Sequence, residues 1–248
     1  MSTEKELAGR VAVVTGSSSG IGEAIARRLA DLGASVVVNS ASSVEAGQTV
    51  ARSLPTPSIY QQADVSDPSQ IERLIDATIE EFGQLDILVN NAGWTTVVPH
   101  DNLDGLTDEI FRKTMDVNVF GTWSLTKAAI PHLQKSKTGN VVTITSIAGV
   151  RPVGSSVAYA MSKAALNHMT VLLAKSFGPV RFNAVAPGLV ETPWTADWDA
   201  QHKAVAKNAP LARSATPQDC AEAVVGFQRM VYATGQILVV DGGITIAT

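Results

Sequence analysis

The sequence is poor in several residue types, and each scarcity excludes a class of protein. Cys220 is the single cysteine in 248 residues, so no disulfide can form within the chain and no thiolate cluster can hold a metal. The four histidines show no HExxH-type spacing, so no metal site is predicted; they are His100, His132, His168 and His202. No apolar run approaches the roughly 18 residues of a membrane span.

An excess of positive charge is also absent. The chain has 19 Lys and Arg against 23 Asp and Glu, which gives a net charge of −4. Nucleic acids and anionic membranes select basic surfaces, so neither is an expected partner. Residues 1–10, MSTEKELAGR, lack the apolar core of a signal peptide. Together these features predict a cytoplasmic protein.

Apolar strand-like runs alternate along the chain with amphipathic segments of helical length. Strands are predicted over 11–16, 34–40, 85–93, 140–146, 180–188 and 235–243. Helices are predicted over 21–33, 66–83, about 107–135 and 155–177. This order is typical of a parallel sheet covered on both faces. We predict one α/β domain over residues 1–248, with a doubly wound, mostly seven-stranded parallel sheet of the Rossmann type.

One segment does not follow this alternation. Residues 189–215 are rich in Trp, Thr and Ala and are not strand-like. They predict an excursion from the sheet, placed to cover a substrate.

A glycine loop joins the first predicted strand to the first predicted helix. In TGSSSGIG (15–22), Gly16 permits a tight turn, Gly20 lets the backbone approach a ligand, and Gly22 allows close contact between helix and strand. Exposed N–H groups at the start of the helix suit a pyrophosphate. The alternative is a glycine-rich turn without a ligand, but the strand before it and the helix after it favour a dinucleotide. The backbone and hydroxyl contacts of this loop are assigned to Ser18, Ser19 and Ile21 with the three glycines.

The end of the second predicted strand lacks a charge. Neither an acid nor a base occurs between Ala34 and Val44, and an acid there would repel a 2′-phosphate. NADP(H) is therefore favoured and NAD(H) is possible. The hydroxyls that could bind the phosphate, unless they only form a turn, belong to Ser40, Ser42 and Ser43 beside Ala41, and to Ser18 and Ser19 in the loop.

Seven motifs in order resemble the short-chain dehydrogenase/reductase family, in its single-domain branch of roughly 250 residues. They are TGSSSGIG (15–22), ADV (63–65), NNAG (90–93), Asn118 in MDVNVFG, Ser146 in TITSIAG, YAMSK (159–163) and NAVAPG (183–188). The general resemblance is to 3-oxoacyl-(acyl carrier protein) reductase-like enzymes and to ketone or alcohol dehydrogenases. It implies an oxidoreductase, a carbonyl reductase or ketoreductase, that interconverts a ketone and a secondary alcohol by hydride transfer.

Four residues in these motifs are the candidate catalytic set. Tyrosine has an unperturbed pKa near 10, too high for acid/base work near neutrality. Lys163 lies one helical turn after Tyr159 and is expected to lower its pKa. Ser146, at a strand end, can hold the substrate carbonyl. Asn118 is a poor helix former within a predicted helix, and the resemblance implies that it holds a water at a helix distortion. Taken singly, Tyr159 could be a core-edge residue and Lys163 a snorkelling one.

The resemblance also implies further cofactor contacts. Lys163 and Tyr159 would face the nicotinamide ribose, and Asp64 would bind the adenine amino group. The other implied contacts are Val65, Asn91, Ala92, Gly93, Pro187, Gly188, Val190 and Thr192.

Loops beyond the strand ends are expected to choose the substrate. The candidate pocket residues are Trp94, Val153, Trp194 and Trp198, with Arg151 as the one obvious fixed charge. An apolar or neutral small-molecule carbonyl is predicted. A homotetramer or homodimer is expected, formed through the helices around 107–135 and 155–177. The alternatives are an NAD(H)-preferring alcohol or steroid dehydrogenase and a non-catalytic nucleotide-binding regulator.

Overall fold

The computed structural model describes residues 5–247 and contains one parallel sheet with helices on both faces, as the sequence predicts. Its strand order is β3-β2-β1-β4-β5-β6-β7, and every neighbouring pair is parallel. The strands are β1 (Val11–Val14), β2 (Ser35–Ser40), β3 (Ser58–Gln62), β4 (Ile87–Asn90), β5 (Asn140–Ile144), β6 (Arg181–Pro187) and β7 (Ile237–Val240). The order reverses between β1 and β4, so the crevice beyond their carboxyl ends is where a ligand is expected.

The helices connect these strands and carry the amphipathic patterns of the sequence. They are α1 (Gly20–Asp31), α2 (Val44–Ser53), α3 (Pro68–Phe82), α4 (Asp108–Met115), α5 (Thr122–Leu133), α6 (Val157–Ser176), α7 (Asp199–Asn208), α8 (Pro217–Arg229) and α9 (Ile244–Ala247). In α3 the Asp67 side chain accepts a hydrogen bond from the Ser69 N–H, and Gly83 ends the helix at φ +73°.

Two apolar cores lie on opposite faces of the sheet. One joins α1, α2 and α8 to alternate strand residues such as Val14 and Val38. The other joins α3 and α5 to the intervening residues, such as Val13 and Val37. Because successive strand side chains point to opposite faces, a strand buried on both sides is apolar at most of its positions. Every residue of β1 is buried.

The predicted helix over 107–135 is not continuous. A π-helical segment, Asp116–Gly121, separates α4 from α5 and contains Asn118. The distortion expected at this asparagine is therefore present. Gly121 allows it to pack closely, because a Cβ there would come within 2.7 Å of the Val65 carbonyl oxygen.

The 189–215 excursion consists of a short 3-10 turn, Pro193–Thr195, followed by α7. His202 of α7 ties its parts together. One ring nitrogen, Nδ1, lies 2.7 Å from the Ser214 hydroxyl, and Nε2 lies 3.2 Å from the Thr195 carbonyl oxygen. A carbonyl only accepts, so Nε2 donates to Thr195.

Candidate active site

A cleft of about 940 Å³ lies at the carboxyl ends of the strands. It runs from the loop before α1, past the ends of β2 and β3, to the start of α6 and the 189–215 excursion. Almost every residue predicted to bind a cofactor or a substrate lines it. Gly22 and Asn118 do not, because both are buried behind its wall.

The glycine loop has the conformation that its residues require. Gly16 and Gly20 have φ values of +62° and +57°, which side-chain-bearing residues rarely adopt. At Gly22 there is no room for a side chain, because an added Cβ would collide with the Gly16 carbonyl and lie 2.5 Å from Asn91 Nδ2. The loop thus brings its backbone to the cleft at the start of α1, where N–H groups favour an anion.

Asn91 holds this loop in place. Its Nδ2 donates to the carbonyl oxygens of Thr15 and Gly16, at 2.8 and 3.1 Å. Its N–H, with that of Ala92, donates to the Thr15 hydroxyl at 3.0 Å. The Nδ2 of Asn91 is therefore committed to the glycine loop, and Asn91 holds this loop in shape where both line the cleft.

The end of β2 presents hydroxyls and no charge. Ser40 is buried, and its Oγ lies 2.9 Å from the hydroxyl of Tyr60, a residue that no sequence motif marks. Ala41 and Ser42 are exposed and line the cleft, whereas Ser43 does not line it. Asp64 also lines it, and its carboxylate accepts bonds from the Ser66 N–H and hydroxyl at 2.8 and 2.7 Å.

Tyr159, Ser146 and Lys163 meet at the other end of the cleft. Ser156 caps α6 by accepting a hydrogen bond from the Tyr159 N–H at 3.2 Å, which places Tyr159 in the first turn. Ser146 follows β5, and its hydroxyl accepts from the Ala148 N–H at 3.1 Å. Lys163 is 4% exposed, and its Nζ donates to the Ile144 carbonyl at 2.9 Å and lies 5.5 Å from the Tyr159 ring centroid.

The expected pKa of Tyr159 needs correction. Its ring is only partly exposed, and removal from water raises the pKa of Tyr159, while a hydrogen bond with Ser146 lowers it. The balance is a raised pKa, opposite to the lowering expected from Lys163. The lysine is itself affected, because burial lowers the pKa of Lys163 to about 8.

Asn118 connects the π-helical segment to the loop after β4. Its Oδ1 accepts from the Trp94 N–H at 2.7 Å, and its Nδ2 donates to the Trp94 carbonyl and to the Ser162 hydroxyl, both at 3.0 Å. The amide is fully buried. Asn118 thus fixes Trp94 relative to α6, next to Gly93, where an added Cβ would lie 3.8 Å from Lys163 Nζ.

The charged residue at the substrate end of the cleft is not the one expected from the sequence. Trp94, Val153, Trp194 and Trp198 line this end as predicted, but exposed Arg151 does not. Lys113 of α4 does, with its Nζ 4.5 Å from the centroid of the Trp94 ring. No local signal in the sequence marks Lys113, since a surface lysine on a helix is ordinary. Gln201 and Val205 of α7 also line this end.

The cleft fits a nicotinamide dinucleotide. It offers a glycine cradle without side chains at one end, hydroxyls at the end of β2, and a buried lysine and a tyrosine at the other end. The glycine loop together with Gly188 would hold the pyrophosphate, and Lys163 would face the nicotinamide ribose.

Comparison with known proteins agrees with this geometry. A family model described as enoyl-(acyl carrier protein) reductase matches residues 16–245. The chain is 52% identical over 239 residues to a Streptomyces violaceoruber protein named for ketoacyl reductase 2 of the granaticin polyketide synthase, covering 94% of this chain and 95% of that one. It is 32% identical over 247 residues to the Thermotoga maritima 3-oxoacyl-[acyl-carrier-protein] reductase, covering 97% and 99%.

The chain belongs to the short-chain dehydrogenase/reductase family. A solved structure described as a short-chain dehydrogenase/reductase from Burkholderia xenovorans superposes with a TM-score of 0.89 at 34% identity, covering 96% of this chain and 98% of that one. Members of the family act on alcohol and ketone substrates with NAD(P), so this protein is an oxidoreductase of that type. No helix within residues 5–247 is long and apolar enough to cross a membrane.

Replacing buried Lys163 tests its electrostatic cost. The pKa shift from 10.5 to about 8 corresponds to about 3 kcal/mol. The substitution also removes the hydrogen bond from Lys163 Nζ to the Ile144 carbonyl oxygen, and this loss offsets about 1 kcal/mol of the gain in stability. Lys163→Met is therefore expected to raise the free energy of unfolding at pH 7 by about 2 kcal/mol, and to remove ketone turnover. Denaturant unfolding measures the first effect, with exposed Lys175→Met as the control.

The wild-type protein carries the matching pH dependence. The native pKa of Lys163 lies below the unfolded value, so between pH 8 and 10.5 the unfolded chain binds more protons and stability rises with pH. Lys163→Met should lack this rise. The proposed cost of burying the Lys163 charge would be contradicted if Lys163→Met were less stable than the wild type at pH 7 and its free energy of unfolding rose equally with pH.

Proposed function

We propose that this protein is an NADP(H)-dependent oxidoreductase that interconverts a ketone and a secondary alcohol, with Tyr159 as general acid/base. The observation that carries the proposal is the meeting of Tyr159, Ser146 and Lys163 at the end of a cleft whose other end is a glycine cradle. A nucleotide-binding regulator would have no need of these side chains beside the cofactor cleft.

Each residue has a physical role. Ser146 holds the substrate carbonyl and stabilises charge that develops on its oxygen. When bound, the nicotinamide supplies the hydride in reduction and accepts it in oxidation. Tyr159 Oη gives a proton to the carbonyl oxygen in reduction and takes it back in oxidation. The Lys163 ammonium stabilises the phenolate left after proton transfer. Asn118 positions the Trp94 loop and α6 against each other.

The function is tested with a panel of ketones and secondary alcohols, followed at the nicotinamide absorbance with NADPH and NADH separately. Turnover of ketones with a preference for NADPH supports the proposal. Cofactor binding without turnover of any compound in the panel would favour the non-catalytic nucleotide-binding regulator instead.

The proposed NADP(H) preference is supported by the end of β2, where no carboxylate would repel a 2′-phosphate. Ala41→Asp is expected to lower kcat/KM for NADPH at least about tenfold and to leave that for NADH within about twofold, because like charges would meet there. Ala41→Asn, of the same size without the charge, is the control. Equal losses with both cofactors, or a loss in the Asn variant, would show that the phosphate does not bind beside Ala41.

An NAD(H) preference is the second candidate. The observation in its favour is that the cleft near Ser40, Ala41 and Ser42 is lined by no arginine or lysine among residues 5–247. The same comparison of NADH with NADPH decides between them.

Two further features belong to the proposal. We assign residues 189–215 of this single domain, 1–248, as a lid over the substrate, since Trp194 and Trp198 line the cleft from this segment.

A homodimer or homotetramer is supported by exposed apolar side chains on and next to α5 and α6: Phe120, Trp123, Met161, Val171 and Leu172. Leu166 and Leu173 of α6, by contrast, are buried within the subunit. Sedimentation measures the assembly. A cytoplasmic location stays a prediction of the sequence.

A further inference from the structure

The substrate end of the cleft contains a cation without an acidic partner. Lys113 of α4 lines the cleft and lies over the Trp94 ring, 4.5 Å from its centroid. Within residues 5–247 the ion pairs are made by Arg27, Arg28, Arg213 and Arg229, and none involves Lys113. An ammonium over an indole face is held by the ring quadrupole, which leaves its hydrogen-bond donors free for another group.

This cation is connected to the reaction centre through Trp94. The indole is attached to a backbone whose N–H and carbonyl both bond to the Asn118 amide, at 2.7 and 3.0 Å. The same amide bonds to Ser162 on α6, between Tyr159 and Lys163. Lys113 therefore rests on a ring whose backbone is fixed by the π-helical segment, and it lies in the same cleft as the tyrosine hydroxyl.

The charged residues that line the substrate end of the cleft all have one sign. Among the described lining residues the cations are Lys113 and Lys163, and Asp64 is the one acid, at the dinucleotide end. Lys113 is an exposed residue that lies against the Trp94 ring, and Val97, Val153 and the two lid tryptophans add apolar surface to the same cleft. A cleft lined by charges of one sign attracts ligands of the opposite sign. A substrate with an anionic group would be attracted to this end, and one with a cationic group would be repelled.

We infer that Lys113 is a substrate-binding residue that selects ketones carrying a carboxylate, with the carboxylate seated against the ammonium and the apolar part against Trp94. The inference rests on the proposed ketone reduction and narrows its substrate class. It differs from the apolar or neutral substrate expected from the sequence, since that expectation rested on a pocket with no obvious fixed charge except Arg151.

The test compares matched pairs of substrates that differ only in charge. Linear keto acids with the ketone two to six carbons from the carboxylate are assayed against their methyl esters, with saturating NADPH or NADH. At least one acid should have a kcat/KM about tenfold above its ester at low salt. Lys113→Met should lower kcat/KM for that acid about five- to tenfold through KM, with the ester unchanged within about twofold. Added salt should weaken the acid preference of the wild type only.

Two control variants separate charge from structure. Lys113→Arg keeps the cation and should retain most of the acid preference. Lys175→Met removes an exposed lysine at the end of α6, outside the cleft, and should change nothing. If esters are reduced as well as acids, or if Lys113→Met affects both equally, the inference is wrong and ketone reduction stands. If no ketone is turned over with either cofactor, the proposed function and the inference both fail.

Discussion

Tyr159→Phe is expected to lower kcat for ketone reduction by roughly 10³-fold. General acid catalysis contributes about 10²–10⁴ in rate, and phenylalanine keeps the ring while removing the only hydroxyl of this residue. The ring packs in the first turn of α6, which Ser156 caps through a backbone N–H that the substitution does not touch. The fold and cofactor binding should therefore be preserved. Steady-state rates at saturating ketone and cofactor give the first quantity, and cofactor titration by fluorescence gives the second.

A second hydroxyl variant distinguishes the proton donor from the groups around it. Ser146→Ala removes a hydroxyl that bonds to the Ala148 N–H and interacts with Tyr159, but it leaves the phenol in place. The fall in kcat should be smaller for Ser146→Ala, roughly 10²-fold, because the substitution weakens the hold on the carbonyl without removing the proton donor. Retention of more than a tenth of the wild-type rate by Tyr159→Phe would assign the proton to another group.

Gly22→Ala is expected to lower dinucleotide affinity about a hundredfold. The new methyl group would collide with the Gly16 carbonyl and with Asn91 Nδ2, so the glycine loop would have to shift away from α1. Losing two backbone N–H bonds to an ionised phosphate costs about 3 kcal/mol, which is about a hundredfold in affinity. The crowding itself should lower the free energy of unfolding by about 1–3 kcal/mol.

Gly226→Ala provides the matched control for that substitution. Gly226 also lies in a helix, α8, but an added Cβ would meet only Met230 Cε at 3.7 Å, an ordinary contact. The variant should bind cofactor normally and be more stable by about 0.5–1 kcal/mol, as alanine is in a helix interior. Calorimetric titration and denaturant unfolding of both variants check the pair. Equal cofactor affinities in the two would show that the loop geometry does not set dinucleotide binding.

The sheet and its main helices are predictable because their signals are local. β1 is apolar at every position, and α3 carries a capping aspartate, an early proline and a final glycine. β3 and α2 are not among the elements predicted from the sequence. β3 lies at the edge of the sheet, pairs with β2 alone and is mostly half-buried. Its sequence therefore shows neither a continuous apolar run nor a clear alternation of apolar and polar residues.

The YAMSK spacing and the glycine loop likewise indicate the site from short segments of sequence, since one helical turn and one tight turn are local properties of the chain. These local signals were enough to predict the fold class, the family and the residues at both ends of the cleft. The charge that lines the substrate end of the cleft could be known only from the tertiary structure, because Lys113 reaches the cleft from α4 while Arg151 does not. The tertiary structure also decided the direction of the Tyr159 pKa shift, since desolvation depends on every element packed around a group, and those elements are far apart in the chain.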